Sequence, residues 1–243
     1  MPDTAPSSSS VQRGIWCQLG DPVATRIAAT SGAEWICLDA QHGLFDRAAI
    51  TASLAARTPD WAVGVRTSSL DAAEIGYALD AGADWVIVPL IETVEQAQGA
   101  VAASLYPPLG RRSWGPLTPL WGRPAPDPVA ANARPRPWIM IETAAGLDNV
   151  EALVDVPGVG GVLVGPNDLA LSLGIAQDDM LDDLRPDAPL QRILAATRRV
   201  GIGAGAFGGD PIRGGKMIAQ GYRYVVVGTD ASALEVGIRA QLG

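Results

Sequence analysis

The chain has 243 residues, enough for one large core, and its formal net charge of −8 excludes the basic footprint of a nucleic-acid binder. Apolar residues make up 48% of it, yet no uninterrupted run is long enough to cross a bilayer. A single histidine, His42, and a single lysine, Lys216, exclude chemistry that needs two histidines or a lysine placed elsewhere.

Residues 1–12 read as a disordered tail and 13–243 as one domain. Met1 to Ser10 is polar and rich in Ser and Pro, without the basic and apolar segments of a signal peptide, so a cytoplasmic protein is expected. Cys17 and Cys37 lie in apolar runs that read as strands, which predicts buried free thiols. A glycine followed by a short link and a buried strand then recurs four times, starting at Gly32, Gly82, Gly158 and Gly221. Each glycine falls where a helix ends and the backbone turns left-handed. Between these copies lie apolar strands at Gly14 to Leu19, Trp61 to Arg66, Trp138 to Glu142 and Gly201 to Ala206. Eight strands alternating with helices, apolar on both faces, predict an α/β (β/α)8 TIM barrel. A doubly wound sheet is the rival, but no Gly-x-Gly-x-x-Gly follows the first strand.

The segment Tyr106 to Arg136 is proline-rich, carries Trp114 and Trp121, and predicts an irregular functional loop or interface on the amino-terminal side. One helix is expected over Ala144 to Val154, from the stripe Leu147, Val150, Leu153 and Val154, and a final one over Ala231 to Leu242. Seven Trp beside only two Phe hint at sizeable contact surfaces.

In a barrel the chemistry sits at the carboxyl ends of the strands. There the sequence places Asp39 and His42 after strand two, Arg66 after strand three, Glu142 after strand five and Asp168 after strand six. Glu142 and Asp168 are hard oxygen donors without Cys or His beside them, which suits Mg2+ or Mn2+; the competing reading is that both cap helix N-termini. His42 is a candidate general base tuned by Asp39. Arg66 offers a planar fork to a substrate carboxylate, or a salt bridge to Asp39 or Asp71.

These residues stand in Leu-Asp-Ala-Gln-His-Gly (38–43), Val-Arg (65–66), Leu-Asp-Ala-Gly-Ala (79–83), Tyr-Pro-Pro-Leu-Gly-Arg-Arg (106–112), Ile-Glu-Thr (141–143) and Val-Gly-Pro-Asn-Asp-Leu (164–169). In that order they resemble the metal-dependent, class II pyruvate aldolases of the HpcH/HpaI type, the 2-keto-3-deoxy-sugar-acid and 4-hydroxy-2-oxoacid aldolases, related to macrophomate synthase. The resemblance runs from Gly14 to about Leu234. It implies a barrel of the phosphoenolpyruvate/pyruvate type, assembled as a hexameric trimer of dimers that exchanges C-terminal helices. It implies a divalent cofactor (Mg2+, Mn2+ or Co2+) held by Glu142 and Asp168. Arg66 would hold the pyruvate end, and the Gly165, Pro166, Asn167 turn would bind its carboxylate. His42 would act through a water, tuned by Asp39, with Asp80 delivered to it from an adjacent subunit. The implied reaction cleaves a 4-hydroxy-2-oxoacid to pyruvate and an aldehyde through pyruvate enolate. Two alternatives use the same site: oxaloacetate decarboxylation with capture of the enolate, and a barrel that binds an oxoacid without catalysis.

Lys216 lies in the expected seventh helix, away from the rim, which excludes a lysine Schiff base. The chain departs from the family's pattern at Gln41, where a glutamate is usual, and at Met140, where a glutamine often stands. Trp114 and Phe207 add bulk where small or aliphatic residues are expected. Together these departures point to an aldehyde less polar than a sugar acid.

Overall fold

The computed structural model describes residues 10–134 and 137–243. Eight strands, Gln12–Cys17 (β1), Trp35–Asp39 (β2), Val63–Arg66 (β3), Trp85–Val88 (β4), Pro137–Ile141 (β5), Gly161–Val164 (β6), Gly203–Phe207 (β7) and Tyr224–Thr229 (β8), pair in sequence order. All pairs are parallel and β8 closes on β1, as the (β/α)8 reading requires. β1 begins at Gln12, the last residue read as tail, whereas residues 1–9 lie outside the described residues. The recurrent glycines Gly32, Gly82, Gly158 and Gly221 all have positive φ, between 95° and 120°. There the absence of Cβ lets the chain reverse from helix into strand.

The barrel interior is filled by tryptophan set against glycine. Trp35 pairs in register with Gly14, Trp85 with Gly64, and Trp138 with Gly161. A Cβ on Gly161 would lie 2.6 Å from the Trp138 ring, so each glycine makes room for the indole on the neighbouring strand. Trp16, Trp35 and Trp138 are buried in this inner cluster, and Trp61 is buried elsewhere. The tryptophan surplus is therefore mainly internal packing, which corrects the expectation of contact surfaces for these residues. A second, mainly aliphatic core, which includes Phe45, Trp61 and Tyr222, lies between strands and helices.

The helix expected over Ala144 to Val154 is two pieces, Ala144–Asp148 and Val150–Val154. Asn149 breaks it: its φ and ψ of −97° and 4° are not helical, and its side-chain amide donates to the Glu92 carbonyl at 2.8 Å. The proline-rich segment holds a 3-10 turn, Thr118–Trp121, and a short helix, Pro128–Asn132. It is tied to the end of the helix Ala72–Ala81, where Arg112 pairs with Asp80 at 2.5 Å and the Leu117 amide donates to the Asp80 carbonyl at 2.8 Å. Arg123 donates to the Leu54 carbonyl. Helix ends of this kind lie at the amino-terminal face of a barrel, so the segment braces the face opposite the strand ends. The last helix is Asp230–Leu242. Among the described residues no helix is long and apolar enough to cross a membrane.

Candidate active site

The carboxyl ends of the strands enclose a cavity of about 140 Å³. At about 10–15 Å³ of such space per water, that is room for a small organic acid together with several waters. Arg66, Glu142, Asp168 and His42 all line it, as do the Gly165, Pro166 and Asn167 turn. Trp16, Met140 and Phe207 form its apolar wall, and Gln18 adds a polar group that motif reading missed.

Glu142 follows β5 and is 2% exposed. Its Oε1 accepts the Leu90 amide at 2.8 Å. Leu90 is, among the described residues, the one non-glycine with positive φ, 57°, so a strained residue just past β4 aims its N–H at this carboxylate. Burial pushes the Glu142 carboxyl above the ordinary glutamate range; the Leu90 bond and Arg66 pull it down, and the charge of Asp168 pushes it further up. Gly165 passes so close that a Cβ there would lie 2.6 Å from Glu142 Oε2. Asp168 is exposed in the first turn of the helix Pro166–Leu173.

Neither acid caps a helix through a side-chain hydrogen bond, although Asp168 does stand in a first turn, where a negative charge suits the helix dipole. The cap of the helix after β5 is the Thr143 hydroxyl, which receives the Gly146 amide, and the helix Pro166–Leu173 has no side-chain cap. Two carboxylates that take no helix amide, sharing one pocket, leave oxygen donors facing inward. Among the described residues no group of three or more His, Cys, Asp or Glu could hold an ion. The donor set thus fits a hard divalent cation that keeps waters or substrate oxygens in its remaining positions. Glu142 and Asp168 would hold it.

The turn at 165–168 offers fewer donors than expected. The Gly165 amide already donates to the Ile141 carbonyl at 3.3 Å, and Pro166 has no N–H. The amides of Asn167 and Asp168, at the uncapped start of the helix, are the donors left for an anion.

Arg66 and Asp39 form a buried bidentate pair, with Nε to Oδ1 at 2.8 Å and Nη2 to Oδ2 at 2.6 Å. Asp39 is fully buried and Arg66 is 7% exposed. The Trp16 indole also donates to Asp39 Oδ2 at 3.0 Å, and its ring lies under the Arg66 guanidinium at 5.1 Å. The salt-bridge alternative for Arg66 is therefore realised with Asp39. Its fork is spent on that pair, and Nη1, which meets no acceptor among the described residues, remains to contact a substrate oxygen.

Asp39 Oδ1 also accepts the amides of Gln41 and His42, at 3.0 and 3.2 Å. It thereby shapes the loop that carries His42 through its backbone; among the described residues the exposed imidazole meets no partner. Burial raises the Asp39 carboxyl, but Arg66, Trp16 and the His42 amide outweigh it and hold it below the usual aspartate range. Asp80 lies at the far end of the barrel on Arg112, so within one chain it does not meet His42. Trp114, half exposed, packs at a tilt against Tyr106, with ring centroids 5.2 Å apart, and within one chain it does not line the cavity, whereas Phe207 does. Cys17 and Cys37 are free and buried, and Lys216 pairs with Asp182 on the outer helix Pro211–Gln220.

Residues 12–235 match the HpcH/HpaI aldolase/citrate lyase family. The chain is 38% identical over 198 residues to a 4-hydroxy-2-oxovalerate aldolase of Novosphingobium aromaticivorans, covering 79% of this chain and 75% of that protein. It is 32% identical over 223 residues to a 2-keto-3-deoxy-L-rhamnonate aldolase of Klebsiella pneumoniae subsp. pneumoniae, covering 90% of this chain and 83% of that one. The crystal structure of an HpcH/HpaI aldolase/citrate lyase family protein from Burkholderia cenocepacia J2315 superposes with a TM-score of 0.86 at 31% identity, covering 98% of this chain and 95% of that chain. A barrel whose strand ends carry the motif residues in one pocket, with this breadth of similarity, belongs to the HpcH/HpaI aldolase/citrate lyase family.

Proposed function

We propose that this chain is a divalent-metal-dependent aldolase that cleaves and forms 4-hydroxy-2-oxoacids, giving pyruvate and an aldehyde through pyruvate enolate. The observation that carries this reading is the pair Glu142 and Asp168, neither one a helix cap, facing Arg66 and His42 across one cavity. The aldolases named above, at 38% and 32% identity, support it.

When bound, Mg2+ or Mn2+ supplies Lewis-acid stabilisation for the negative charge that develops on the enolate oxygen. The amides of Asn167 and Asp168 hold the oxoacid carboxylate, and Arg66 Nη1 adds positive charge beside the enolate oxygen. His42, acting through a water, takes the proton of the 4-hydroxyl. The C3–C4 bond then breaks, its electron pair stays with the three-carbon fragment, and the aldehyde leaves; protonation at C3 gives pyruvate. Trp16 and Phe207 keep bulk water from the enolate.

Assembly into an oligomer, with Asp80 of one chain brought toward His42 of another, forms part of this proposal. The helix Asp230–Leu242 supports it by exposing Leu234, Val236, Ile238 and Leu242. Light scattering would show a mass several times that of the chain.

The test is pyruvate release from 4-hydroxy-2-oxoacids and from oxaloacetate by chelated protein, with and without Mn2+ or Mg2+, beside Glu142→Gln. Cation-restored release that the variant lacks is expected. Release from oxaloacetate alone would favour the decarboxylase, and no release under any cation would sink the enzyme reading.

A further inference from the structure

Gln18 stands just past β1 and lines the cavity, yet its side-chain amide meets no partner among the described residues. In the closed order of strands, β1 lies four places from β5, directly across the barrel from Glu142. An oxoacid held by its carboxylate at the β5 and β6 ends extends across the cavity toward β1. On that side the cavity is lined by Gln18, by the indole of Trp16 and by the ring of Phe207, the two rings packing edge to face at 5.5 Å, and these are the groups its far part, the future aldehyde, would meet.

Hydrogen bonds from two distant segments hold the loop bearing Gln18. Asp230, the first residue of the final helix, is 8% exposed. Its Oδ1 accepts the Gln18 amide at 2.8 Å and its Oδ2 the Leu19 amide at 3.1 Å. The Gln18 carbonyl accepts the Leu44 amide at 2.8 Å, which ties the same loop to the one carrying His42. Gly20 turns back with φ of 67°, against the Leu44 carbonyl, where a side chain would collide. The Thr229 hydroxyl already caps this helix, so the two backbone amides that Asp230 accepts from more than 200 residues away in sequence are bonds the helix start does not require. Its two external bonds hold the backbone from which the Gln18 side chain reaches the cavity.

We propose that Gln18 is a specificity-determining residue that hydrogen-bonds an oxygen on the carbon next to the aldehyde, and that Asp230 is the positioning residue that presents it. This rests on the aldolase reading and narrows it to a small aldehyde, mostly apolar, with one hydroxyl or carbonyl beside the reacting carbon.

The test compares 4,5-dihydroxy-2-oxopentanoate with 4-hydroxy-2-oxopentanoate, which differ by that hydroxyl, on the cation-loaded full chain. The parent enzyme is expected to favour the dihydroxy acid in kcat/KM by roughly five- to tenfold, the worth of one neutral hydrogen bond. Gln18→Leu, which keeps the approximate size and removes the bond, should erase that preference and bring the kcat/KM ratio of the two acids close to one, the ratio being the readout whatever the absolute rates. Asp230→Ala should erase it too, and adding it to Gln18→Leu should change the ratio no further; Asp230→Asn, which retains an acceptor, should restore part of it. An unchanged ratio in Gln18→Leu, or independent effects of the two substitutions, would overturn the proposal. If Asp230→Ala does not fold, Asp230→Asn and Gln18→Leu alone decide it. Should the parent protein release no pyruvate, the aldolase reading falls, and the Gln18 proposal is then read from binding of the two acids by isothermal titration calorimetry, where equal affinities would overturn it.

Discussion

Asp39→Asn perturbs the centre of the network under the cavity. Asp39 is fully buried and receives Arg66 through two bonds, with Trp16, Gln41 and His42 as further donors. Removing one partner of such a pair strands the other charge and costs about 3–5 kcal/mol. Asparagine keeps an oxygen for the Gln41 and His42 amides, so the lower end, about 3 kcal/mol, is expected. At about 2–4 °C per kcal/mol for a domain of this size, Tm falls by roughly 6–12 °C. The pH dependence carries its own signature. The folded carboxyl of Asp39 sits below its unfolded value, so its stabilisation is present above the unfolded pKa and lost as pH falls through the folded one. The variant should therefore lose most at neutral pH and converge on the parent below about pH 4. Adding Arg66→Met, which removes the stranded guanidinium, should recover about half of the loss. Thermal unfolding by circular dichroism across this pH range measures all three. A Tm for Asp39→Asn within about 2 °C of the parent at neutral pH would refute the reasoning, because the pair would then contribute no net stability.

Glu142 predicts the opposite pH trend. Its folded carboxyl sits above the ordinary value because of burial and Asp168, so ionising it costs the metal-free fold more as pH rises through that value. Mn2+ should therefore raise Tm more near pH 8 than near pH 5, and Glu142→Gln should abolish the rise; an equal rise in the variant would remove Glu142 from the proposed ligands. Leu90→Gly should leave stability within about 1 kcal/mol of the parent: about 1–2 kcal/mol of left-handed strain is relieved, against a half-exposed side chain and added chain entropy. Leu90→Val, branched at Cβ, should be clearly less stable in urea titrations, and a Val variant as stable as the Gly one would show that φ carries no strain.

The alternation of buried strands with helices, and the glycines before four of those strands, made the barrel legible, because both are local and periodic. The site was equally legible as a set: once the strands are parallel, Asp39, Arg66, Glu142 and Asp168 must fall on one rim, whatever the details of packing. Partners were not legible. Arg66 could equally have taken a substrate carboxylate or Asp39, and only the register of β2 against β3, Asp39 beside Arg66, makes the ion pair. The break at Asn149 depends on a carbonyl more than fifty residues away, and the strained Leu90 amide on Glu142, so no local pattern encodes either. The same holds for the tryptophans, which composition cannot distinguish as surface or core until Gly14, Gly64 and Gly161 are seen opposite them. Gln18 belongs to no motif and enters the site because a carboxylate from the other end of the chain holds its loop in place. The sequence by itself determined the strand order and the residues at the strand ends, since these follow from short-range periodicity. The tertiary structure alone decided which of those residues pair with one another and which face the cavity, because hydrogen bonds and packing between distant segments form only when the barrel closes.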